Sequence, residues 1–340
     1  MRAQNIAIVG ATGAVGVEIL RVMERRNFPV TGLKMLASKR SVGKTLEFRG
    51  KPYKVEELTT AEAFKGIDVA FFSAGATRSR EFVPAAKAAG AVVIDNSSAF
   101  RMDPNTPLVV PEVNPGDLRR HNGVIANPNC TAAILAVAVW PIHQAVGVRR
   151  IIVSTYQSAS GAGAAAMREL EDQTHEYAEG KEITRQVFPH QIAFNVFSHN
   201  TKMAENGYNE EENKVVEETR KIFHEPELPI VPTCIRVPVL RAHAESIVLE
   251  LAVPMSPEEA RALLARSPGI KIVDDPAANH FPMPLEASGD LDVHVGRIRR
   301  DVSNPNGLAL FVAGDQLLKG AAWNAVQIAE ELATLSVAAA

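Results

Sequence analysis

The stretch Asn5-Ile-Ala-Ile-Val-Gly-Ala-Thr-Gly-Ala-Val-Gly16 decides the fold of this chain. Its apolar start, Asn5 to Val9, is typical of a buried parallel strand, and Val17 to Arg26 beyond it has the composition of a helix. The spacing G-x-x-G-x-x-G between them permits a tight turn and lets a pyrophosphate approach the backbone at a helix N-terminus. A merely structural turn is the competing interpretation. The predicted dinucleotide contacts are Gly10, Thr12, Gly13, Ala14, Val15 and Gly16.

The second predicted strand is Leu33 to Ala37, and the residues that follow it determine which of the two nicotinamide cofactors binds. A carboxylate at this point would bond the ribose hydroxyl of NAD and repel a 2′-phosphate. This chain reads Ser38-Lys-Arg-Ser41 instead, and hydroxyl and guanidinium groups favour a phosphate. We therefore predict NADP as the cofactor, with Ser38, Arg40 and Ser41 at its 2′-phosphate. A solvated basic loop is the alternative.

Strands and helical segments alternate beyond the glycine turn. The predicted elements are the strands Val69 to Ser73, Ala91 to Asp95 and Val109-Val110 and the helix Glu81 to Ala89. This alternation predicts an α/β fold with a Rossmann-type doubly wound parallel sheet, whose ligands bind beyond the carboxyl ends of the strands. Ser73, residues 96–101 and residues 127–130 all follow such ends, so the cleft is expected there. Asp95 is expected to shape the loop after it, with a ribose contact as the alternative.

The pattern changes after residue 130, where longer apolar strands and fewer repeats predict a second α+β domain on a mixed or antiparallel sheet. Its predicted strands are Val148 to Tyr156, Ile235 to Leu240, Ser246 to Val253 and Leu308 to Gly314, and its predicted helices are Ala164 to Glu179 and Glu210 to Phe223. The helix Gly320 to Leu335 is expected to return to the first domain. The predicted domains are thus residues 1–130 with the return segment 315–340, and residues 131–314.

Composition narrows the classes of function. The 340 residues are 46% hydrophobic and 22% charged, which is typical of a globular protein and long enough for two domains. A net charge of −3 argues against a nucleic-acid or membrane-surface binder. Two cysteines, and an N-terminal apolar run too short for a signal peptide, indicate a reducing compartment, so we predict the cytoplasm. The histidines and cysteines lack the spacing of metal ligands, so no metal is predicted.

Cys130 is the most informative side chain. It lies between an apolar stretch and a helix-forming run, in Ile125-Ala-Asn-Pro-Asn-Cys-Thr-Ala-Ala-Ile134. The first unpaired N–H groups of a helix favour a thiolate at this position. A small buried apolar cysteine is the competing interpretation. The turn sequence Asn127-Pro-Asn129 favours the reactive one, because turns at strand-to-helix junctions present side chains to a cleft.

Four ordered motifs point to one family: Gly10 to Gly16, Asn127 to Ala132, Gln157 to Gly163 and Arg236 to His243. In them the chain resembles aspartate-β-semialdehyde dehydrogenase over essentially its whole length. The resemblance implies reversible NADPH-dependent reductive dephosphorylation of L-aspartyl 4-phosphate to L-aspartate 4-semialdehyde, on the branch toward lysine, threonine and methionine. It also implies small-molecule substrates only, and a homodimer whose second domain carries catalysis and dimerisation.

The resemblance also assigns the reacting groups. Cys130 matches the family's nucleophile, whose acyl thioester splits one difficult step into two easier ones. His243 matches the acid/base, and an imidazole near its ordinary pKa of about 6.5 could exchange protons with both the thiol and the substrate oxygen. Gln157 matches the amide that orients the substrate. Arg236 matches the ligand of its α-carboxylate, for which a planar guanidinium is well suited.

The remaining assignments concern phosphate, the substrate amino group and the nicotinamide. Arg101 and Lys214 match the family's phosphate site, with Asn129 as a neighbouring donor, although composition alone would make both cations surface charges. Glu211 resembles the carboxylate that contacts the amino group, but Glu210 and Glu212 are adjacent alternatives. The residues expected on the nicotinamide side are Ser160, Gly161 and Gln316, and Ser73 is expected among the other cofactor contacts.

Other functions remain as alternatives. N-acetyl-γ-glutamyl-phosphate reductase shares the Rossmann opening and the cysteine chemistry, but its nucleophile motif runs Pro-Gly-Cys and it lacks the Arg-x6-His arrangement of Arg236 and His243. A phosphorylating glyceraldehyde-3-phosphate dehydrogenase is disfavoured by the basic residues after the second strand. A noncatalytic NADP sensor could use the same fold, since fold alone does not prove chemistry. Cys234, on an apolar strand, is expected to be a buried filler, with a redox role beside Cys130 as the alternative.

Overall fold

The computed structural model of the protein describes residues 1–338, with side chains to residue 335, and divides into two compact units. The first unit is Met1–Asn129 together with the C-terminal residues from Ala321 onward, and the second is Cys130–Gly320. Residues 339 and 340, the end of the predicted return segment, lie outside the described residues. Each unit is built on its own sheet.

The first unit is a doubly wound sheet, as the alternation in the sequence predicts. Its strands are β1 (Gln4–Val9), β2 (Val30–Ala37), β3 (Thr45–Phe48), β4 (Lys51–Glu57), β5 (Val69–Phe72), β6 (Val92–Asp95) and β7 (Val124–Ala126). They lie in the order β3-β4-β2-β1-β5-β6-β7, and all neighbours are parallel except the pair β3 and β4. The strand order reverses at β1, between β2 and β5, and such a reversal is where doubly wound sheets bind ligands.

The helices of the protein are α1 (Ala14–Arg25), α2 (Ala76–Ala88), α3 (Cys130–Val146), α4 (Ala164–Ala178), α5 (Glu210–Phe223), α6 (Pro257–Leu264), α7 (Pro284–Ala287) and α8 (Trp323–Ala338). In the first unit, α8 packs against α1. A hydrogen bond also joins α8 to the segment before β7: the Asn324 amide donates to the carbonyl of Val109 at 2.9 Å. The C-terminal helix therefore packs within the first unit.

Two of the glycines in the first turn are required by close packing. A Cβ atom on Gly10 would overlap the backbone carbonyl of Ser73, the residue after β5. A Cβ atom on Gly16, in the first part of α1, would overlap the carbonyl of Gly10. Gly10 also has a φ of 85°, in the region that favours glycine. These glycines let α1 approach the end of β1 and leave the turn open beyond the strands.

The sequence interpretation was wrong at two places in the first unit. Val109-Val110 is not a strand, because only its neighbour Leu108 forms an isolated bridge, to Ala126. The hairpin β3–β4 was not predicted, because its strands are short and largely exposed and lack a strong apolar alternation. Its connection is the pair Arg49-Gly50, both with positive φ, as a two-residue hairpin turn requires.

The second unit has a mixed sheet. Its strands are β8 (Val148–Gln157), β9 (Phe197–Ser198), β10 (Ile230–Arg236), β11 (His243–Leu251), β12 (Ile270–Ile272), β13 (Val293–Arg300) and β14 (Gly307–Gly314). They lie in the order β12-β13-β14-β11-β8-β10-β9, with β8–β10 and β12–β13 parallel and the other neighbours antiparallel. The predicted strand Ile235 to Leu240 was misplaced: β10 ends at Arg236, and Pro238 beyond it has no N–H to extend the pairing.

One face of this sheet is covered by helices. Helix α3 packs against β8, β11, β13 and β14, and also against α5 and α6. It is apolar nearly all round, which is the pattern of a helix buried on every side. Along β8 the alternate residues Ile151 and Val153 are buried on this covered face, whereas Ile152, on the other face, is 39% exposed. The second face of the sheet is thus left partly apolar and open.

Candidate functional site

Three predicted site residues meet at one edge of the second sheet. Gln157 is the last residue of β8, Arg236 is the last residue of β10 and lies opposite Gln157 in the parallel register, and His243 is the first residue of β11. Strand β11 runs antiparallel to β8, so its start lies beside the end of β8. All three side chains are buried. Sheet register therefore brings together residues that are far apart along the chain.

The imidazole of His243 contacts Ser158 through one of its ring nitrogens. Its Nδ1 lies 3.0 Å from the backbone N–H donor of Ser158 and 3.1 Å from the Ser158 hydroxyl. Its Nε2 has no hydrogen-bond partner among residues 1–338. Burial, with the positive charge of Arg236, lowers the pKa of His243 from 6.5 to about 3. The expectation of an ordinary imidazole pKa was therefore wrong, because the sequence does not show how completely β11 is covered.

Arg236 is the central cation of this edge. Its Nη1 donates to the carbonyl of Ser158 at 3.1 Å, and its Nε donates to Oδ1 of Asn200 at 3.2 Å. A Cβ atom on Gly161 would lie 3.2 Å from Arg236 Nη1 and 3.1 Å from Cε1 of His243, so the chain passes close over both groups. Burial lowers the pKa of Arg236, and its attractions to Glu211 and to Cys130 oppose this effect. Arg236 therefore interacts with the predicted nucleophile and with a carboxylate.

Cys130 is the first residue of α3, as the turn sequence before it predicts. It is partly exposed, so the competing interpretation of a fully buried cysteine is wrong. A Cβ atom on Gly320 would lie 3.0 Å from the Cα of Cys130, so this glycine leaves room at the start of the helix. Cys234 is different: it is completely buried, and burial raises the pKa of its thiol. Cys234 is the buried filler that the sequence predicts, and both cysteines are thiols.

Helix α5 brings a carboxylate and a cation to the same edge. The helix begins with a capping box, in which the side chain of Asn209 accepts from the N–H of Glu212 and the Glu212 carboxylate accepts from the N–H of Asn209. This start directs Glu211 toward the end of β8, where the Gln157 amide donates to Glu211 Oε1 at 3.1 Å. The Nζ of Lys214 lies 3.7 Å from Glu211 Oε2. Of the three adjacent glutamates, Glu211 is the one beside Gln157.

A chain of hydrogen bonds runs beneath the imidazole. The N–H of Ala242 donates to Oε1 of Gln316 at 2.8 Å, and Nε2 of Gln316 donates to the hydroxyl of Ser160. The hydroxyls of Ser160 and Ser158 lie 3.0 Å apart. Ser158 then contacts Nδ1 of His243. Sequence reasoning singled out Ser160 and Gln316 but not Ser158, although Ser158 lies inside the Gln157 to Gly163 motif.

His199 is a second buried histidine that the sequence reasoning did not select. Its Nδ1 lies 3.2 Å from the hydroxyl of Thr201, which also accepts from the N–H of Glu211. Burial, followed by the charge of Arg236, lowers the pKa of His199 to about 4. Its place depends on the short strand β9, which pairs with β10. No local pattern in the sequence marks so short a strand.

The predicted nucleotide contacts lie in the first unit. Gly10 and Ser73 follow β1 and β5, whose backbones touch at the glycine turn. The hydroxyls of Thr12 and Ser41 lie 2.9 Å apart, so the glycine turn and the segment after β2 are joined directly. Arg40 is exposed in the turn that follows β2. The contact between Thr12 and Ser41 thus places the glycine turn next to the segment that carries Arg40.

The first unit also contains two of the predicted phosphate ligands. Arg101 is buried, so its interpretation as a surface charge was wrong. Its Nε donates to the carbonyl of Asn127 at 2.9 Å and its Nη2 to the carbonyl of Asn96 at 2.8 Å. Asn129 is buried in the same unit. The Asp95 carboxylate accepts from the N–H and the hydroxyl of Ser97, so it shapes this loop as predicted.

Comparison with known proteins gives a consistent result. Residues 5–121 match the family model "Semialdehyde dehydrogenase, NAD binding domain", and residues 139–319 match "Semialdehyde dehydrogenase, dimerisation domain". The aspartate-semialdehyde dehydrogenase of Synechocystis sp. is 53% identical over 96% of this chain and 97% of its own length. That of Aquifex aeolicus is 52% identical over 96% and 97%.

The chain belongs to the aspartate-semialdehyde dehydrogenase family.

Solved structures of aspartate-semialdehyde dehydrogenases agree with this assignment. Aspartate semialdehyde dehydrogenase II from Vibrio cholerae is 44% identical, covers 98% of this chain and 99% of its own, and superposes with a TM-score of 0.94. The same enzyme complexed with ASA superposes with a TM-score of 0.95. The predicted fold class, a Rossmann-type unit with a second α+β domain, is confirmed. The chain is therefore an oxidoreductase of the aspartate-semialdehyde dehydrogenase family, with a nucleotide-binding domain.

Two further observations concern metal sites and membrane-spanning helices. Among residues 1–338, no cluster of three or more histidine, cysteine or acidic side chains is arranged to hold a metal ion. Within the same described part of the chain, no helix has the length and apolar character needed to cross a bilayer.

Proposed function

We propose that this enzyme catalyses the reversible NADPH-dependent reductive dephosphorylation of L-aspartyl 4-phosphate to L-aspartate 4-semialdehyde, on the branch toward lysine, threonine and methionine. The observation that carries the proposal is the position of Arg236, which is attracted to both Cys130 and Glu211 and lies at the strand edge beside His243. A nucleophile, a carboxylate-binding cation and an amine-binding carboxylate are the groups that an aspartyl substrate needs. The 44–53% identity to aspartate-semialdehyde dehydrogenases supports the same substrate.

Cys130 begins the reaction as the nucleophile. Its position as the first residue of α3 favours the thiolate, because the N–H groups of the first turn carry partial positive charge. The sulfur attacks the acyl phosphate carbon, phosphate leaves with the electrons of the C–O bond, and an acyl thioester remains on Cys130. We assign Arg101, Asn129 and Lys214 to the phosphate. A cation and an amide next to the leaving oxygens stabilise the charge that develops there.

The aspartyl part of the substrate is held by three side chains of the second unit. Arg236 binds the α-carboxylate through its planar guanidinium, whose burial strengthens a charge-assisted hydrogen bond. Glu211 accepts from the α-amino group. Gln157 orients the acyl group and is itself positioned by Glu211 at 3.1 Å and by the Thr155 hydroxyl, which donates to Gln157 Oε1 at 3.0 Å. His243 acts on the substrate's carbonyl oxygen.

The first unit binds NADP. The glycine turn from Gly10 to Gly16 cradles the pyrophosphate, and Ser38, Arg40 and Ser41 bind the 2′-phosphate. The fit rests on the absent Cβ atoms at Gly10 and Gly16 and on the contact that joins Thr12 to Ser41. When bound, the cofactor supplies the hydride that reduces the thioester. We assign the contacts near the nicotinamide to Ser160, Gly161 and Gln316, and place Ser73 among the other cofactor contacts.

We also propose that the enzyme is a homodimer in the cytoplasm and that the second unit provides both catalysis and dimerisation. The open face of its sheet supports the dimer, because Ile152 is exposed there opposite Val248 of β11, and Phe311 lies farther along β14, opposite Ser246. Apolar faces of this kind are typical of protein–protein contacts. A reducing compartment supports the chemistry, because Cys130 must remain a thiol.

The assay that tests this function is phosphate-dependent reduction of NADP in the presence of aspartate semialdehyde. We expect activity that needs both phosphate and Cys130, with turnover lost on the order of 10⁴-fold or more in Cys130→Ser and NADP affinity retained. A noncatalytic NADP sensor would be indifferent to this change. Activity on the N-acetylglutamate semialdehyde analogue, with none on aspartate semialdehyde, would instead assign the chain to the related reductase.

A further inference from the structure

The residue that follows β14 is a completely buried aspartate, Asp315. Its Oδ2 accepts from Nε of Arg241 and from the N–H of Gly289, both at 2.7 Å. Its Oδ1 accepts from the N–H of Leu317 at 2.9 Å. Arg241 is partly exposed, so the carboxylate is the buried member of this ion pair. Two segments that are distant in the sequence thus meet at one side chain, together with the turn that Asp315 itself begins.

The segment that leads into β11 is joined to the end of β14 through each residue from 241 to 243. Their partners are, in order, the Asp315 carboxylate, the side-chain oxygen of Gln316 and, across the sheet, Gly314. His243 is the last of the three and the first residue of β11. The position of its backbone therefore depends on this whole set of contacts.

Ala242, the residue between Arg241 and His243, has an uncommon backbone conformation. Its φ is 68°, in the left-handed region that residues other than glycine rarely adopt. Such a conformation persists only where surrounding contacts hold it. Here the N–H of Ala242 donates to Gln316 at 2.8 Å, and the residue before it is held by the ion pair with Asp315. Relaxation of this turn would change the direction in which the His243 side chain leaves the strand.

The turn that Asp315 begins also reaches the start of α3. The backbone carbonyl of Asp315 accepts from the N–H of Leu318 at 3.0 Å and from the N–H of Gly320 at 3.2 Å. A Cβ atom on Gly320 would lie 2.5 Å from the Cβ of Cys130, so this turn packs directly against the proposed nucleophile. The same aspartate is therefore connected to both reacting side chains, each through a short stretch of backbone.

We infer that Asp315 is a positioning residue, whose carboxylate fixes His243 relative to Cys130 through Arg241 on one side and through its own turn on the other. This inference rests on the proposed function, in which Cys130 and His243 act on the same substrate. Asp315 acts through these residues and not on the substrate itself. Placement of this kind matters because a misplacement of about 1 Å can lower a reaction rate about 10²-fold.

Asp315→Asn tests the role of the carboxylate. The printed partners of its two oxygens are all N–H donors, so the NH₂ group of an asparagine must face a donor in either orientation. We expect kcat with aspartate semialdehyde, phosphate and NADP to fall about 10- to 100-fold. The KM values for aspartate semialdehyde and NADP should change less than about threefold, because no group that binds them is removed. An unchanged kcat would overturn the inference.

Asp274, after β12, provides the matched control. Its side chain is buried, contacts the partly exposed Arg261 at 2.7 Å and accepts from the N–H of Arg297 at 2.8 Å. Asp274→Asn therefore also removes a carboxylate from a buried ion pair of the second unit. Denaturation by urea should show comparable losses of stability in the two variants, but only Asp315→Asn should lower kcat. Similar losses of kcat in both would reduce Asp315 to a purely structural role.

Hydrogen exchange, measured by mass spectrometry on the full-length protein without substrate, tests the placement without turnover. We expect the amides of residues 241–245 and 317–320 to exchange at least about tenfold faster in Asp315→Asn, because local opening becomes easier. The same segments should be unaffected in Asp274→Asn. Unchanged exchange in Asp315→Asn would contradict the inference. A chain that lacked the proposed activity would still show this difference, so failure of the proposed function is recognised separately.

Arg241→Gln provides a second variant in case Asp315→Asn does not fold. It removes the ion pair from a partly exposed position and leaves the backbone donors to Asp315 in place. We expect kcat to fall about tenfold and exchange at residues 241–245 to become faster. The kcat losses of Arg241→Gln and Asp315→Asn should not add in the double variant, because residues that contact each other act as one unit. Full additivity would mean that Asp315 does not act through Arg241.

Discussion

The side-chain amide of Gln157 donates a 3.1 Å hydrogen bond to the carboxylate of Glu211, joining the end of β8 to the first turn of α5. Neither residue is near the other in the sequence, and Glu211 has glutamates on both sides. Glu212 is used for capping and accepts from the N–H of Cys234 at 3.0 Å, and Glu210 is exposed. Of the three glutamates, Glu211 is therefore the one beside Gln157, where we propose that the amino group of the substrate binds.

Glu211→Gln should raise the KM for aspartate semialdehyde by about 10- to 100-fold, which corresponds to one hydrogen bond to a charged group. The effect on kcat should be smaller, because Glu211 contacts the bound substrate and not the reacting carbon. Steady-state kinetics at saturating phosphate and NADP measure both constants. Glu210→Gln is the matched control and should behave as the unmodified enzyme. Equal effects of the two changes would remove Glu211 from the substrate site.

Arg40→Asp should weaken NADP binding by about tenfold or more, since a charge-assisted hydrogen bond is lost and a repulsive carboxylate is introduced. NAD lacks the 2′-phosphate, so its affinity should change little or increase. Titration of both nucleotides by fluorescence or calorimetry compares the two. Lys39→Asp, at the exposed neighbouring position, provides the control for a general change of charge. If NAD and NADP were weakened alike, Arg40 would not lie at the 2′-phosphate.

Glu245→Gln should stabilise the protein increasingly as the pH rises. Glu245 is completely buried on β11, neither carboxylate oxygen has a hydrogen-bond partner among residues 1–338, and burial raises its pKa well above 4.5. Above the unfolded-state pKa the unfolded chain releases this proton while the folded protein keeps it, so the free energy of unfolding falls. The free energy of unfolding falls by about 1.4 kcal/mol for each pH unit between the unfolded-state and folded-state pKa values of Glu245. A glutamine does not titrate, so the Gln variant avoids this loss.

Chemical denaturation at pH 4.5 and pH 7.5 checks this sign. The two proteins should have similar free energies of unfolding at the lower pH, and the Gln variant should be the more stable at the higher pH. Glu250→Gln is the control, because Glu250 lies on the same strand but is only partly buried. A stability difference that did not change with pH would mean that Glu245 is ionised in the folded protein.

Ile152→Lys should convert the proposed homodimer to monomers. Ile152 is exposed on the open face of the second sheet, and a charge there would have to be buried without a partner when two copies meet. Light scattering coupled to gel filtration gives the mass directly. Val302→Lys, at a fully exposed turn position, should leave the dimer intact. A dimer in both variants would place the contact between subunits elsewhere.

Much of the fold could be predicted from the sequence because local patterns control it. The glycine turn needs a strand before it and a helix after it. Cys130 directly follows the turn sequence Asn127-Pro-Asn129, which predicts that a helix begins there. Both signals lie within a few residues, so periodicity and turn chemistry are sufficient. The hairpin β3–β4 and the end of β10 were not found correctly, because short or exposed strands depend on their partners more than on their own residues.

Knowledge of the motifs identified Cys130, Gln157, Arg236 and His243 as candidates, but the state of those groups depends on packing. A pKa follows from burial and from neighbouring charges, so the neutral imidazole of His243 could not be read from its motif. The most direct contact of its ring is the backbone N–H of Ser158, which any residue other than proline could supply.

Local sequence thus determined most of the longer strands and helices, the glycine turn and the cysteine at the start of α3, since each depends on interactions between near neighbours. Tertiary structure alone decided which glutamate meets Gln157, that Arg101 is buried, and that Nδ1 of His243 faces the backbone N–H of Ser158. Those outcomes depend on strand register and on helices packed from distant parts of the chain. The energy of a charge or a hydrogen bond changes with such surroundings, whereas the identity of the residue does not.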